Sequence, residues 1–392
     1  MVRWLHISDL HIQNKADWSS FRKELFRKCG DIGKIDLVIV TGDFHNFVEG
    51  HNFELAKSFL RELIQECHLD INKDLFLIPG NHDGTTDIPD KKMCISAVKY
   101  APLDIEKTWM EKLLDMFQDY ETFVKELIPE YPTEHPAKIH NRIWRDKINF
   151  IHCNSAIAAD GEDKSNQLLD VDELAAADYS DDYPNIMLVH NNFDDLQEDV
   201  QKRVKDIVRN NFVRAYLCGD RHLESISMIS YEDRQNRQVP CVGCYKLSPD
   251  AKDQYSKFGI IVGEWQGEYA ELRGWHWESG VGFKIDGSIT EQKIYMGCLE
   301  TIEKAKVEEA IYKGKDEKSD LDECEESYYQ KREFITRYRN ISPNQLRKFN
   351  RKYGDEFGEL HSKESETALY EYVNSAEKNG ILENMLDYMK SL

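Results

Sequence analysis

No stretch of this chain comes near the ~20 consecutive apolar residues that a membrane-spanning helix needs. Its first residues, MVRWLHISDLH, also lack the basic start, the apolar centre and the small-residue cleavage site of a secretory signal peptide. An internal repeat of about 20–50 residues, the mark of a solenoid or a propeller, is missing as well. These absences predict a cytoplasmic protein that does not act at a membrane.

Positive charge is in short supply. The chain has 51 Lys and Arg against 72 Asp and Glu, which gives a net charge of −21 at pH 7. Its densest basic run is RKFNRK at 347–352, whereas proteins that bind nucleic acid without regard to sequence usually present a basic patch. The charge argues against tight, unaided binding to duplex DNA. It does not exclude a nuclease, because bound divalent cations would offset local carboxylates.

Cysteines are few, scattered and odd in number, at nine. This distribution indicates a reducing compartment rather than a disulfide framework. Cys218 ends a predicted strand and is expected in the core. Cys241 and Cys244 form a CxxC with no second pair at zinc-site spacing. A structural thiol pair is the favoured interpretation, and a zinc or redox role is the alternative.

The middle of the chain shows alternating strand and helix patterns. Apolar, β-branched runs at 3–8, 36–41 and 75–79 predict strands, and helical spacing recurs at 18–30 and 53–66. This alternation is typical of an α/β layered fold. Later segments predict a long helix, a hairpin, two strands and an antiparallel pair, at 105–128, 143–156, 186–190, 213–220 and 258–278. The long helix is expected to be an insertion that covers the site.

The length of 392 residues suits one catalytic domain of roughly 250 residues plus a smaller module. We expect a catalytic domain at 1–298, a charged helical linker at 299–340 and a small helical domain at 341–392. Ser342 and Pro343 are typical of a helix start. The last domain is predicted to contain three helices.

Five polar clusters follow predicted strands. They are Asp9-Leu10-His11, Gly42-Asp43, Gly80-Asn81-His82-Asp83, His190 and Gly219-Asp220-Arg221-His222. Ligands in open α/β sheets bind beyond the carboxyl ends of the strands, so these clusters can converge. Carboxylate, imidazole and amide groups hold Mn²⁺, Fe²⁺ or Zn²⁺. One carboxylate can bridge two ions ~3.5–4 Å apart, as in two-metal hydrolases.

This ordered set resembles the calcineurin-like metallophosphoesterase superfamily. The pattern of that superfamily is DxH, GD, GNH(D/E), a lone His and then GHxH, and the resemblance covers about residues 1–275. It implies a four-layer α/β/β/α metallophosphoesterase sandwich, followed here by a C-terminal all-α module. It also implies two divalent metal ions, with Mn²⁺ favoured and Fe²⁺, Zn²⁺ or Mg²⁺ possible, and a hydroxide held by them as the nucleophile.

The resemblance assigns a role to each matching residue. The implied ligands are Asp9, His11 and His222 for the first ion, Asp43 for both ions, and Asn81 and His190 for the second ion. His82 would lie outside the ligands and act as the general acid or contact the phosphate. Behind them, His45, Asn46 and Asp83 are expected to support the site residues.

Position 220 departs from the pattern of the superfamily. GHxH would place a histidine there, whereas this chain has Asp220. A carboxylate binds Mn²⁺ well, so Asp220 is predicted to be a seventh ligand that favours a harder ion. Alternatively, its negative charge weakens the second metal site. The neighbouring Asn191 and Asn192 either contact the substrate or cap the turn after His190, and capping is favoured.

Residues 342–392 resemble the small, death-fold-like effector-associated domains of bacterial conflict systems. The resemblance is carried by QLRKF at 345–349, LYEYV at 369–373 and NGILENML at 379–386. It implies an adaptor that joins the enzyme to a protein partner. The alternative is a generic helical appendage that packs on the catalytic domain or forms an oligomer.

Three functions are compatible with these patterns. The favoured one is a metal-dependent phosphodiesterase acting on DNA or RNA, a nuclease effector of bacterial conflict or antiviral defence. The second is a phosphodiesterase or phosphatase for small nucleotides, which the acidic charge favours. The third is a regulatory metallophosphoesterase with weakened catalysis, for which Asp220 is the motivation.

Overall fold

The computed structural model of the protein describes most of the chain. The described residues are 1–12, 16–45, 53–85, 91–100, 107–159, 167–230, 238–247, 258–278, 280–289, 292–296, 334, 338, 343–357, 372–373, 375–376, 379 and 381–391. The chain divides into two compact units, Met1–Ala305 and Lys306–Leu392. None of the described helices is long and apolar enough to cross a membrane.

Seven strands form the first sheet of the larger unit. Numbered in chain order, they are β1 Val2–Ile7, β2 Leu37–Thr41, β3 Leu75–Ile78, β10 Phe258–Gln266, β11 Tyr269–Glu278, β12 Gly282–Asp286 and β13 Gln292–Tyr295. The order is β12-β11-β10-β1-β2-β3, with β13 paired to β11. β1, β2 and β3 run parallel, so their carboxyl ends lie at the same edge.

Six strands form the second sheet. They are β4 His140–Trp144, β5 Ile148–Cys153, β6 Asn185–Val189, β7 Val213–Cys218, β8 Ser225–Ser230 and β9 Gln238–Gly243. The order is β4-β5-β6-β7-β9-β8, with β5, β6, β7 and β9 parallel and the two edge strands antiparallel. The sequence patterns did not predict β8, β9, β12 or β13.

Alternate side chains of each strand face opposite sides of a sheet. Trp4 of the first sheet and Phe150 of the second belong to one buried cluster, so the sheets pack face to face. Leu5, on the other side of β1, instead packs in a cluster that includes helical residues such as Leu25 and Val204. The result is an α/β/β/α sandwich, which confirms the predicted fold class.

Eight helices flank the described strands of the larger unit. They are α1 Ala16–Ile32, α2 Glu54–Glu66, α3 Ile71–Asp74, α4 Lys91–Tyr100, α5 Lys107–Leu114, α6 Gln118–Leu127, α7 Val171–Ala175 and α8 Glu198–Asn210. Short 3-10 turns lie at Asp115–Phe117 and Phe193–Asp195.

The single helix predicted at 105–128 is wrong, because the 3-10 turn at Asp115–Phe117 separates α5 from α6. The turn buries Met116 and Phe117 together. The carbonyl of Met116 accepts the N–H of Thr85 at 2.8 Å. The segment therefore packs on the loop after β3, which carries Asn81 and His82.

The two thiols of the CxxC face opposite sides of the second sheet. Cys241 lies in β9, and Cys244 directly follows that strand. Cys241 belongs to the cluster that includes helical residues and lies 3.8 Å from Cys218, sulfur to sulfur. Cys244 belongs to the cluster between the sheets, where its thiol donates to the carbonyl of His6 at 3.3 Å. All three are buried. They are core residues, and Cys241 packs with Cys218 rather than with Cys244.

The smaller unit contains α9 Pro343–Phe357 and α10 Leu382–Ser391. Phe349 and Met385 are fully buried in one cluster, and the hydroxyl of Tyr353 donates to the carbonyl of Asn384 at 3.1 Å. Phe334 belongs to the same cluster. The predicted linker at 299–340 and the middle helix at 364–376 lie largely outside the described residues.

Candidate metal centre

The five polar clusters meet at the carboxyl ends of parallel strands. Asp9 follows β1, Asp43 follows β2, Asn81 follows β3, His190 follows β6 and Asp220 follows β7. Three groups have their ligand atoms within 4.8 Å of one another: Asp9-His11-His222, His11-Asp43-His82 and Asp9-Asp43-His190. Because the groups share members, they form one connected cluster. No group found among the described residues contains a cysteine.

Asp9 is the centre of the first group. Its Oδ1 lies 3.2 Å from His222 Nε2 and 3.9 Å from His11 Nε2. Its Oδ2 accepts the backbone N–H of Asp220 at 3.1 Å. Asp9 and His11 are buried, whereas a quarter of the His222 side chain (25%) is exposed. This group therefore opens to solvent on the side of His222.

Asp43 lies between two sets of imidazoles. Its Oδ2 is 3.5 Å from His11 Nε2 and 3.8 Å from His82 Nε2. Its Oδ1 is 3.5 Å from His190 Nε2 and accepts the backbone N–H of His82 at 2.8 Å. Each oxygen faces a different side of the cluster, which is compatible with a carboxylate that bridges two ions.

Oxygens from three residues surround Nε2 of the buried His190. Asn81 Oδ1 lies 2.9 Å away, Asp43 Oδ1 3.5 Å and Asp220 Oδ1 3.6 Å. The structure therefore places Asp220 beside the residues that the sequence resemblance assigns to the second ion. In this chain a carboxylate occupies the position where the pattern has an imidazole.

The orientation of the rings fits divalent cations. His190 Nδ1 lies 2.7 Å from the carbonyl of Thr41, and His11 Nδ1 lies 3.3 Å from that of His45. If each Nδ1–H donates to its carbonyl, each Nε2 lone pair faces oxygens, and a cation between them would relieve the repulsion. Asp9 Oδ1 is buried and accepts no hydrogen bond among the described residues. These atoms match the ligand types of a divalent metal site.

Protonation in the cluster is consistent with a cation site. Burial lowers the pKa of His190, but the carboxylates of Asp43, Asp220 and Asp9 outweigh it and raise that pKa to about 9. Burial raises the pKa of Asp43 to about 7. Burial also holds the pKa of His11 well below its usual value. A proton on His190 thus provides positive charge that metal binding would replace, since metal ligands must be deprotonated.

Several site residues have a left-handed backbone. The φ angles are +50° at Asp9, +38° at His11, +58° at Asp43, +64° at Asp220 and +58° at His222. Such values are uncommon outside glycine and cost energy that the surrounding structure must supply. The sharp turns after β1, β2 and β7 aim these side chains into the cluster. Strain here accompanies convergence of the ligands.

Glycines allow the loops to approach each other closely. Gly42 has a φ of +93°, and a Cβ built on it would lie 2.6 Å from His190 Nδ1. A Cβ on Gly80 would overlap the carboxylate of Asp43, and one on Gly219 would overlap the hydroxyl of Ser8. No larger residue fits at these three positions without displacing a site residue or its neighbour.

Asp83 supports the cluster from behind. Its Oδ2 accepts the N–H groups of Asp43 at 2.8 Å and Gly80 at 2.7 Å, and its Oδ1 accepts that of Phe44 at 2.8 Å. Burial and the charge of Asp43 raise the pKa of Asp83 to about 8. His45 is buried and its carbonyl contacts His11. Asn46 lies outside the described residues.

The two asparagines after His190 differ in role. Asn192 Oδ1 accepts the N–H of Asp194 at 3.1 Å and caps the short 3-10 turn that follows. Asn191 instead donates from Nδ2 to Asp220 Oδ2 at 2.9 Å. The prediction of a cap is therefore confirmed for Asn192 and wrong for Asn191. Sequence patterns could not pair Asn191 with a residue on another strand.

Lys246 is a site residue for which the sequence showed no motif. It is buried, and its ammonium makes no hydrogen bond or ion pair among the described residues. The N–H of the next residue, Leu247, donates to the carbonyls of Ser8 at 3.0 Å and Asp9 at 3.2 Å. The charge of Lys246 also acts on His11. A cation thus lies beside a cluster that is otherwise rich in carboxylates.

Solved structures of several proteins resemble the chain at low identity. A purple acid phosphatase from yellow lupin seeds matches with a TM-score of 0.43 and 11% identity, over 76% of this chain and 54% of that one. Vps29 from Chaetomium thermophilum matches with a TM-score of 0.33 and 9% identity, over 76% of this chain and 100% of that one. TT1561 of Thermus thermophilus matches with a TM-score of 0.34 and 14% identity, over 66% of this chain and 93% of that one.

The comparison with curated proteins found no match. Among protein families, the calcineurin-like phosphoesterases match residues 2–224, more than half of the chain. The matched range contains every residue of the cluster, and Lys246, beside the cluster, lies outside that range. The chain therefore belongs to the calcineurin-like phosphoesterase family, whose members hydrolyse phosphoesters with divalent metal ions.

Proposed function

We propose that the protein is a two-metal phosphodiesterase that hydrolyses nucleic acid. The observation that carries the reaction is the position of Asp43, whose Oδ2 faces His11 and whose Oδ1 faces His190, both at 3.5 Å. A carboxylate in this position separates two ligand sets. When bound, divalent ions would neutralise the phosphate and supply the nucleophile and Lewis acidity for hydrolysis.

The two ligand sets have the same charge and differ in their neutral donors. Asp43 belongs to both; the first set adds Asp9, His11 and His222, and the second adds Asn81, His190 and Asp220. Each set has two carboxylates, but the second has an amide where the first has another imidazole. The second set therefore favours a harder ion such as Mn²⁺ or Mg²⁺ over Zn²⁺. We expect Mn²⁺ to support the highest activity, and Fe²⁺ also suits the donors.

His82 would act on the leaving group. Its backbone N–H is held by Asp43 Oδ1 at 2.8 Å, while 29% of its side chain stays exposed. Burial lowers the pKa of His82 to about 4, so the ring starts neutral at pH 7. An anionic phosphate beside the ring would raise that pKa. His82 would then hold a proton next to the phosphate and donate it to the leaving oxygen.

Lys246 would bind the phosphate itself. Its backbone is fixed beside Ser8 and Asp9, and no carboxylate pairs with it among the described residues. A phosphate at the cluster would supply the missing counter-charge. This contact attracts the substrate without adding a metal ligand.

Nucleic acid is favoured as the substrate by the resemblance of residues 342–392 to effector-associated domains. The net charge of −21 favours small nucleotides instead. The test is hydrolysis by the full-length protein, with Mn²⁺, of single-stranded DNA, duplex DNA, RNA, cyclic nucleotides, bis(p-nitrophenyl) phosphate and p-nitrophenyl phosphate. Turnover of a polymer well above that of the nucleotides supports the nuclease, and the reverse order supports the small-nucleotide enzyme.

Variants show whether the cluster carries the activity. Asp43→Ala and His82→Ala should abolish or strongly reduce turnover. Their controls are Asp119→Ala, which changes an exposed carboxylate on α6, and His135→Ala, which changes a histidine whose side chain is 57% exposed. Bound metal without turnover of any substrate would overturn the enzyme and favour the regulatory scaffold that Asp220 suggests.

The C-terminal unit would act as an adaptor for a protein partner. Its support is the sequence resemblance and the compactness of Lys306–Leu392 as a separate unit. Deletion of residues 306–392 should abolish copurification of a partner from the native host and leave hydrolysis of bis(p-nitrophenyl) phosphate intact. Equal loss of both would contradict the adaptor role and favour a structural appendage.

A further inference from the structure

A cavity of about 450 Å³ lies at the beginning of β3, whereas the metal cluster lies at its end. Its lining includes Asn72 and Lys73 of α3, just before β3 begins, and Asn141, Arg142 and Ile143 of β4. The cluster residues Asn81 and His82, by contrast, come after β3 ends. The volume is within the range of roughly 300–1,000 Å³ that is typical of small-molecule sites.

The cavity is cationic in an acidic protein. Lys73, Arg142 and Arg145 line it together with the amides of Asn72 and Asn141, and no carboxylate belongs to the lining. The chain as a whole has a net charge of −21. The lining is therefore positively charged, with three cations and no acidic group, although the protein as a whole is negatively charged.

Arg142 is the deepest of these cations. It is only 8% exposed, and its guanidinium donates to the carbonyls of Leu75 and Asn72, each at 2.8 Å. The rings of Phe76 and Tyr131 lie on it, with centroids 4.7 Å and 4.9 Å from Cζ. Among the described residues no carboxylate is within ion-pair distance of Arg142. A buried cation with only neutral partners attracts an anion strongly.

The other two cations have carboxylate partners that differ in burial. Lys73 Nζ lies 3.4 Å from Asp70, and Arg145 lies 2.8 Å from Asp74. Three cations against these two carboxylates leave one positive charge, that of Arg142. The side chains of Lys73 and Arg145 are 67% and 52% exposed. The Lys73–Asp70 pair is exposed and weak, so Lys73 can turn to a ligand. Arg145 donates to the buried Asp74 from Nε and Nη2 and stays in place, so it would meet a ligand through Nη1.

We propose that this cavity binds a compact phosphate-bearing anion, of the size of pyrophosphate or a nucleotide, at a site separate from the metal cluster. Arg142 would contact one phosphate group with the planar donor geometry that suits phosphate. Lys73 and Arg145 would approach the anion from the mouth, and Asn72 and Asn141 would add hydrogen bonds.

Calorimetric titration of the full-length protein with pyrophosphate, and then with ATP, tests the proposal. The buffer contains EDTA, so that neither ligand binds through a divalent ion. We expect saturable binding of one equivalent of at least one of the two. The variant Lys73→Glu should weaken it at least about tenfold, because it removes a charge-assisted contact with phosphate and adds a negative charge at the mouth. Asp43→Ala, in the metal cluster, should leave it unchanged.

Two further variants control for folding and for overall charge. Lys23→Glu makes the same change of charge at an exposed position outside the lining and should bind like the native protein. Ile143→Trp fills the cavity from a side chain that is 49% exposed and should weaken binding without a change of charge. Absence of saturable binding of both anions to the native protein would overturn the site. The site would also be overturned if the two charge variants weakened binding equally, or if Ile143→Trp did not weaken it.

Discussion

Asn191 Nδ2 donates a hydrogen bond to Asp220 Oδ2 at 2.9 Å. Asn191 itself is held at two points. Its side-chain Oδ1 accepts a hydrogen bond from the hydroxyl of Ser155 at 2.7 Å, and its backbone carbonyl accepts one from the hydroxyl of Tyr216 at 2.8 Å. With one oxygen of Asp220 fixed by Asn191, the other lies 3.6 Å from His190 Nε2. A carboxylate is shorter than an imidazole, and Asn191 is the residue that positions it beside the second ligand set.

The first prediction concerns metal affinity in Asn191→Ala. Loss of the donor frees Asp220 to rotate, so the affinity of the second ion should fall about 10–100-fold, as for other partners of metal ligands. Calorimetric titration with Mn²⁺ and elemental analysis of the bound metal measure it. The first ion is the internal control, because Asn191 has no hydrogen bond to Asp9, His11 or His222 in the described structure. Equal weakening of both ions would contradict a positioning role for Asn191.

Strand-end convergence was predictable, whereas the backbone that achieves it was not. Buried runs such as LVIVT followed by Gly42 and Asp43 indicate a strand and a turn, and parallel strands bring such turns to one edge. The left-handed φ of Asp9, His11 and Asp43 could not be read from residue type. These conformations are set by hydrogen bonds between loops, such as those from the N–H of Asp9 to the carbonyl of Gly42 and from the N–H of His11 to that of Asp43, both at 3.0 Å.

The second prediction compares two glycines. Gly80→Ala would push a methyl group into the carboxylate and the N–H of Asp43, which must then move. Mn²⁺ affinity should fall by at least about a hundredfold, because a shared ligand is displaced. Gly30→Ala is the control, since no atom lies within 4 Å of the added Cβ and Gly30 lies within α1. It should keep Mn²⁺ affinity and raise the free energy of unfolding by about 0.5–1 kcal/mol.

Titration with Mn²⁺ and urea unfolding measure the two effects separately. Normal Mn²⁺ affinity in Gly80→Ala would mean that the loop after β3 shifts to accommodate the methyl group while Asp43 stays in place. That result would contradict the close packing of the two loops.

Edge strands and element breaks were harder to predict than the centre of the fold. The segment SISMIS of β8 alternates polar and apolar residues only weakly. Four of its six residues are half-buried or buried in the sheet, where β8 pairs with β9. The helical spacing of 105–128 continues through Asp115–Phe117, although the chain there tightens into a 3-10 turn. Periodicity records which residues are buried. It does not record the tertiary contact between Met116 and Thr85 that accompanies the break.

The third prediction concerns phosphate binding by Lys246. Lys246→Met keeps the apolar stem and removes the charge, so the KM for bis(p-nitrophenyl) phosphate should rise about tenfold or more, the loss of one charge-assisted contact. Mn²⁺ affinity should stay the same, since Lys246 is not a ligand. Lys246→Arg should restore part of the KM, and Lys147→Met, at an exposed lysine, should change nothing. An unchanged KM in Lys246→Met would exclude Lys246 from substrate binding.

The last prediction concerns stability below neutral pH and rests on His140. Its Nε2 lies 2.8 Å from the hydroxyl of Tyr131 and its Nδ1 lies 2.8 Å from the carbonyl of Lys138. The ring also stacks on His152 with centroids 4.4 Å apart. With Tyr131 donating to Nε2, this arrangement holds His140 neutral. Burial, together with the charge of Arg142, lowers the pKa of His140 to about 4.

In the unfolded chain His140 has the ordinary histidine pKa of 6.5, whereas in the folded chain its pKa is about 4. The stability that His140 contributes is therefore fully present above pH 6.5 and is lost as the pH falls from 6.5 to 4. His140→Gln, which does not titrate, should show a shallower loss over that range in urea unfolding at a series of pH values. His135→Gln, at a side chain that is 57% exposed, should keep the native slope. Equal slopes for the native protein and His140→Gln would show that His140 titrates alike in both states.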